Sequence, residues 1–270
     1  MKRLLAAPSV WLCGAFLLVA VFGPWVVSTS PFQIDLAHAY ESPSAAHWLG
    51  TADNGVDLLS ALVHGARLAG IISASVVGVC LLVGGLLGAL SGLVGGWFEH
   101  ALMALSDLLQ AFPAVLLNIA LLALVSRPGV EHVVLSLCMN GWVLYARLAR
   151  AEVLALRDRE FVHAARALGV PESQVLLRHL VPNLIGPLVV QATAGFGSAI
   201  LMESTLSFLG LGPARSVSWG ALLDQGSAVL LRFPHVALVS GGAMAAVVLC
   251  FNLAGDALRD ALDPRLRGRA

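Results

Sequence analysis

Residues 159–182 read REFVHAARALGVPESQVLLRHLVP, and their place between long apolar runs decides how the chain folds. Arg159, Arg166 and Arg178 belong to a segment that lipid does not accept, so the flanking runs cross a membrane while this piece lies outside it. Phe161, Ala164, Ala165 and Leu168 recur at i, i+3, i+4 and i+7, which predicts one short amphipathic helix with Arg159, His163 and Arg166 on its other face. Gly169 stands where a helix end takes a residue tolerant of positive φ. Pro171 stands where a second helix starts without needing an N–H. Val175, Leu176 and Leu180 then face inward, and Pro182 is expected to end that second helix. The expected product is a compact helix-turn-helix knob.

Composition agrees with a membrane setting. The 270 residues are 58% hydrophobic and 12% charged, with a mean hydropathy of +0.86, which is the profile of a polytopic membrane protein. The formal net charge is zero, so there is no overall basic character for binding nucleic acid. Cys13, Cys80, Cys138 and Cys250 fall one to each of four apolar runs with no C-x-x-C, which reads as small apolar packing residues; neither a disulfide framework nor a metal site is indicated.

Working outward from the knob, six spans are expected. Residues 10–27 form the first, behind Lys2 and Arg3. The alternative is a signal peptide cut near Ala37-His38-Ala39, but the run is long for a signal core and that site lies well past its end. Residues 28–67 turn polar and read as an extramembrane loop followed by a short amphipathic helix. Residues 68–98 carry no charge and make the second span, in which Gly84, Gly88, Gly92 and Gly96 repeat every four residues and predict a smooth face for close helix packing. Residues 101–125 give a third span interrupted by Asp107 and Pro113; residues 130–145, with Asn140 and Trp142, are shorter and make a fourth span only by starting near Glu131 and running to about Leu148. Residues 184–211 give a fifth with Glu203 near its far end. A second extramembrane loop spans 210–232, and residues 233–255 give the sixth. Asp107, Asn140 and Glu203 are the candidate polar bundle or pathway residues, Asp107 reading first as a capping or helix–helix hydrogen-bonding group. The fold class is all-α, divided into residues 1–66 (a transmembrane helix and extracytoplasmic loop) and 67–270 (a five-helix core with the knob in the loop at about 147–183).

Charge orients this arrangement. Six spans put both termini and the knob on one side, which then holds Lys2, Arg3, the six arginines at 147, 150, 157, 159, 166 and 178, and Arg259, Arg265, Arg267 and Arg269. That is twelve of the sixteen basic residues. Arg67, Arg127, Arg215 and Arg232 remain on the other, so the positive-inside rule makes the knob cytoplasmic.

Several chemistries are absent. Lys2 is the only lysine, so the chain contains no G-x-x-x-x-G-K-[ST] nucleotide loop, and any ATP used in transport binds another subunit. No H-E-x-x-H, G-x-S-x-G or S-x-x-K occurs. Intramembrane ionisable residues are too few for a proton relay. His64, His132 and His235 read as loop or interface histidines rather than metal ligands, because no partner His or Cys stands at ligand spacing.

The knob resembles the cytoplasmic coupling motif of ABC-importer permeases, E-A-A-x-x-x-G-x9-I-x-L-P, here His163-Ala164-Ala165-x-x-x-Gly169, then nine residues, His179, Leu180, Val181 and Pro182. Tyr145-Ala146-Arg147-Leu148-Ala149-Arg150, Glu203-x-x-Leu206-Ser207-Phe208-Leu209-Gly210-Leu211-Gly212, Ser218-Trp219-Gly220 and the ending Phe251-Asn252-Leu253-x-Gly255-Asp256 through Asp263-Pro264-Arg265 are similar to the C-type subunit of the dipeptide/oligopeptide/nickel group. So are His47-Trp48-Leu49-Gly50-Thr51 and Ala111-Phe112-Pro113. The chain departs from the group in carrying His163 for glutamate and His179 for isoleucine, and Ala52 and Val56 for an Asp and an Arg of the external segment.

The resemblance implies a type I ABC-importer permease (MetI-like) fold in a bacterial inner membrane. It implies a non-catalytic subunit for import of peptides, or alternatively of nickel or another metal complex. Its partners would be a second homologous permease, two ATPase subunits that hold ATP and Mg, and an extracytoplasmic binding protein. His163, Ala164, Ala165, Gly169, Pro171 and Pro182 would make the coupling contact. A stand-alone carrier or channel is the expectation from another class.

Overall fold

The longest apolar run builds the axis of the molecule. In the computed structural model, which describes residues 8–27 and 29–262, this run and its polar forerunner form one helix, Leu58–Val94, of 37 residues. The expected short helix before residue 68 is therefore the first part of the helix that carries the second span. Asp57 starts it, accepting the Ser60 N–H at 2.8 Å, and Gly95 and Gly96, at φ +67° and +62°, stop it. At about 55 Å it exceeds a ~30 Å hydrocarbon core, so one or both ends project.

The helices in order are α1 (Pro8–Val26), α2 (Leu58–Val94), α3 (Gly96–Ala111), α4 (Ala114–Ala123), α5 (Val130–Arg157), α6 (Glu160–Ala167), α7 (Glu172–Phe208), α8 (Trp219–Ala228) and α9 (Pro234–Leu262). Among the described residues there is no strand, only an isolated bridge between Thr51 and Asp57. Four helices, α1, α2, α7 and α9, are long and apolar enough to cross a membrane; α3 and α4, bent by 83° at Phe112-Pro113, make a fifth if counted as one broken span. α5 is 28 residues long, but Glu131, His132, Asn140 and Arg147 dilute its apolar character. Lys2, Arg3, Arg265, Arg267, Arg269 and the Asp263-Pro264 pair lie outside the described residues.

Three clusters of buried side chains stack along α2. The first joins Phe16 of α1, Leu58, Ala61 and Ala66 of α2, Ile200 of α7, Trp219 of α8 and Phe251 of α9. The second joins α2, α4, α5 and α7 around Ile72, Leu122, Leu137 and Tyr145. The third seats the knob: Ala89, Ala149 and Val153 meet Val162, Val175 and Leu180. The boundary expected at 66/67 falls inside α2, and α1 shares a core with α8 and α9.

α2 and α5 touch backbone to backbone. A Cβ on Gly84 would fall on the Trp142 carbonyl, one on Gly88 on the Ala146 carbonyl, and one on Gly92 would lie 2.9 Å from the Val153 Cβ. Gly96 does not continue this seam. It begins α3 with open space around it, because the positive φ values at 95 and 96 turn the chain away.

Candidate functional site

The knob is a closed turn on a packed base. α6 ends in a Schellman turn: the Val170 N–H reaches the Ala165 carbonyl at 3.1 Å and the Gly169 N–H the Arg166 carbonyl at 2.9 Å, with Gly169 at φ +78°. Arg166 then bridges the turn, its Nε 2.7 Å from Glu172 Oε1 and its Nη2 3.2 Å from Oε2. That hydrogen bond, with the charge of the same carboxylate, raises the Arg166 pKa further.

The buried face of α6 is rotated from the expected one. Val162 and Ala165 are buried, whereas Phe161 and Ala164 are exposed and Leu168 is 85% exposed. An eight-residue helix has room for two inward positions, and Val162 wins because it drops between Val175 and Leu180. Val175, Leu176 and Leu180 are buried at the positions the periodicity requires.

Pro182 does not end the second helix. Residues Val175–Leu180 widen into a π-turn, the Val181 N–H bonding the Leu176 carbonyl, and the helix passes through an exposed Pro182 into the span. A widened turn absorbs the proline, which has no N–H to lose. The outer surface is thus His163, Ala164, Leu168, Gly169 and Pro171, all exposed, with no heavy atom within 4 Å of a Cβ placed on Gly169. His179 lies under Phe161, ring centroids 6.5 Å apart.

α3 is tied back to α5 by two ion pairs. Arg147 Nη2 is 2.6 Å from Asp107 Oδ1, so Asp107 faces its neighbouring helix across an exposed edge. Arg150 holds Glu99 through Nε, 2.7 Å from Oε1, and through Nη2 as well. Glu203 is 1% exposed at the far end of α7, accepting from Ser207 Oγ at 2.7 Å and Ser204 Oγ at 3.3 Å, with Ser218 adjacent. Asn140 is half-buried on α5. His64, His132 and His235 are spread apart: His64 Nδ1 lies 2.9 Å from the Ser60 carbonyl, His132 Nδ1 accepts the Gly129 N–H at 3.1 Å, and His235 Nε2 lies 3.1 Å from the Thr51 carbonyl.

Residues 84–268 match the family described as binding-protein-dependent transport system inner membrane component. The chain belongs to that family. It is 36% identical over 267 residues to the dipeptide transport system permease protein DppC of Alkalihalophilus pseudofirmus, covering 98% of this chain and 88% of that one. It is 35% identical to the oligopeptide transport system permease protein OppC of Bacillus subtilis, covering 93% and 82%. It is 36% identical to the glutathione transport system permease protein GsiD of Pectobacterium atrosepticum, covering 93% and 85%.

Some contacts of this inner membrane component had no sequence signal. Asp57 faces no Arg at position 56; its Oδ2 is taken by His47 Nδ1 at 2.9 Å while it caps α2. Glu99 lies beside an apolar run, and its partner Arg150 is 51 residues away in sequence. The serines around Glu203 come from both α7 and the turn before α8, a grouping that only the fold creates.

Proposed function

We propose that this chain is the permease subunit of an ATP-driven peptide importer, forming half of the translocation pathway beside a second, homologous permease. Six crossings, counting α5 as a span and α3 with α4 as one, put the knob and both termini on the cytoplasmic side of a bacterial inner membrane. The concentration of basic residues on that side supports the orientation. Two separate ATPase subunits hold ATP and Mg, an extracytoplasmic binding protein delivers the peptide, and lipid surrounds the bundle. The chain itself carries out no bond chemistry.

The observation that carries this reading is the knob's outer surface. The turn satisfies its own backbone groups while Gly169, Ala164 and Leu168 stay uncovered, a small-residue tip that fits a groove on an ATPase. Rigid-body movement of the ATPases then passes into α7, because the knob's second half and that span are one helix. Near-full-length likeness to dipeptide, oligopeptide and glutathione permeases supports peptides as the cargo.

Gly169→Trp in the complete importer tests it. Peptide uptake should be abolished with the protein still present in the membrane, and normal uptake refutes the coupling role. The purified chain alone in liposomes should pass nothing; ion-driven peptide flux there would make it a stand-alone carrier.

A further inference from the structure

Midway along α2 and α7, where these meet α4 and α5, lies a cavity of about 200 Å³. Asn118, Asn140, Tyr145, Gln191 and Gly195 are among its walls, and no Asp, Glu, Lys, Arg or His is. Leu144 and Ser198, also in the walls, are exposed, so the cavity opens on one side of the bundle.

Its polar groups are unevenly paired. Asn118 Oδ1 accepts from Ser136 Oγ at 2.8 Å, and Ser198 Oγ donates to the Ala194 carbonyl at 3.1 Å. The Tyr145 hydroxyl is buried without a hydrogen-bond partner, in a residue only 4% exposed, and it lies against Gly195, where a Cβ would collide with it. The side-chain amides of Asn140 and Gln191 have no partner among the described residues either. Unpaired hydroxyls and amides at bilayer depth are costly unless water or a ligand meets them. The cavity is far larger than one bridging water needs.

We propose that this cavity is a backbone-contact site for the peptide in transit, in which Asn140, Gln191 and the Tyr145 hydroxyl exchange hydrogen bonds with its amide groups. The inference rests on the peptide-importer reading above. A carboxamide both donates and accepts, so it pairs with a peptide N–H and C=O alike, whatever side chains the peptide carries. The uncharged lining offers no counter-charge to a bare metal cation or to a peptide terminus leaving water. The site therefore takes the dipolar middle of the substrate and leaves its charged ends to the wider opening.

The test uses the complete importer with its binding protein in proteoliposomes. Uptake of a dipeptide is compared with uptake of its ester analogue, in which oxygen replaces the amide N–H. The binding protein's own preference is common to all variants and cancels between them. In Asn140→Leu and Gln191→Leu the peptide-to-ester ratio should fall about fivefold relative to wild type, the worth of one hydrogen bond. Tyr145→Phe should slow uptake of both compounds about fivefold at an unchanged protein level. Phenylalanine removes only a hydroxyl that bonds to nothing in the protein, so a purely structural role predicts wild-type uptake and equal or higher stability. Wild-type uptake in Tyr145→Phe together with a wild-type ratio in the leucine variants overturns the proposal. If a leucine variant fails to assemble, Tyr145→Phe decides alone. A wild-type importer that moves no peptide sinks the peptide reading itself, a result distinct from any change among the variants.

Discussion

Gly88 of α2 lies on the backbone of Ala146 of α5: a Cβ there would fall on the Ala146 carbonyl oxygen, with the carbonyl carbon and Cα each 2.7 Å away. Backbone cannot rotate aside as a side chain can, so Gly88→Ala forces the helices apart. The expected cost is about 2 kcal/mol, read as a lowered thermal midpoint of the purified protein in detergent. Gly78→Ala, on the same helix with nothing within 4 Å, should leave the midpoint unchanged or raise it. Equal midpoints for the two variants would remove Gly88 from the seam.

The two ion pairs between α3 and α5 are unequal. Glu99 and Arg150 are 17% and 32% exposed, against 74% and 40% for Asp107 and Arg147. Glu99→Gln should cost about 2 kcal/mol, because a partly buried guanidinium loses its charged acceptor. Asp107→Asn should cost less than ~1 kcal/mol and vanish in high salt. Chemical denaturation at two salt concentrations separates them; the reverse order would contradict this assignment.

Trp219 anchors the short helix α8. Its Nε1 donates to the Leu62 carbonyl at 2.9 Å, its ring covers Gly65, and Phe16 meets it edge-on at 6.0 Å. Trp219→Ala should cost about 4 kcal/mol by opening a cavity between α1, α2 and α8. Trp219→Phe should cost far less, about 1–2 kcal/mol, if most of the ring contact survives loss of the hydrogen bond. Thermal unfolding in detergent orders the two.

What the chain's letters disclosed depended on range. The Gly84–Gly88–Gly92 repeat, the turn at Gly169 and the inward Val175, Leu176 and Leu180 are local patterns, and each was readable because period and backbone freedom act within a few residues. Boundaries were harder. Pro182 is a helix breaker by propensity, yet the π-turn before it removes the conflict, and nothing in VLLRHL announces such a turn. Gly96 has the right spacing for the seam but follows a glycine that bends the chain first. Phe161 and Leu168 are more apolar than Val162 and Ala165, but the faces of Val175 and Leu180 decide which pair is covered. Arg150 with Glu99, and Tyr145 with Gly195, are pairings between distant segments that hydropathy does not encode.

The polar loop between α1 and α2 carries a titrating pair. His38 Nδ1 lies 2.8 Å from Asp35 Oδ2, and that hydrogen bond holds the His38 pKa above its ordinary value and the Asp35 pKa below its own. His38 therefore contributes fully below the ordinary histidine pKa and loses its contribution as pH rises through the raised value. Asp35 contributes above the ordinary carboxylate pKa and loses its share as pH falls through the lowered one. Both side chains are exposed, so the titration itself is the readout. Histidine-labelled protein followed by NMR should show His38 titrating high and returning to the ordinary range in Asp35→Asn; a midpoint indifferent to that change would refute the pairing.

α7 has a mechanical consequence. It runs from Glu172 in the knob through the π-turn to Phe208, 37 residues and about 55 Å, with the Glu203 clasp near its far end. A lever of that length turns a tilt of about 5° at one end into a sweep of about 5 Å at the other. A displacement of its Glu172 end is thus carried to the serines around Glu203 by leverage, with no relay of side chains in between.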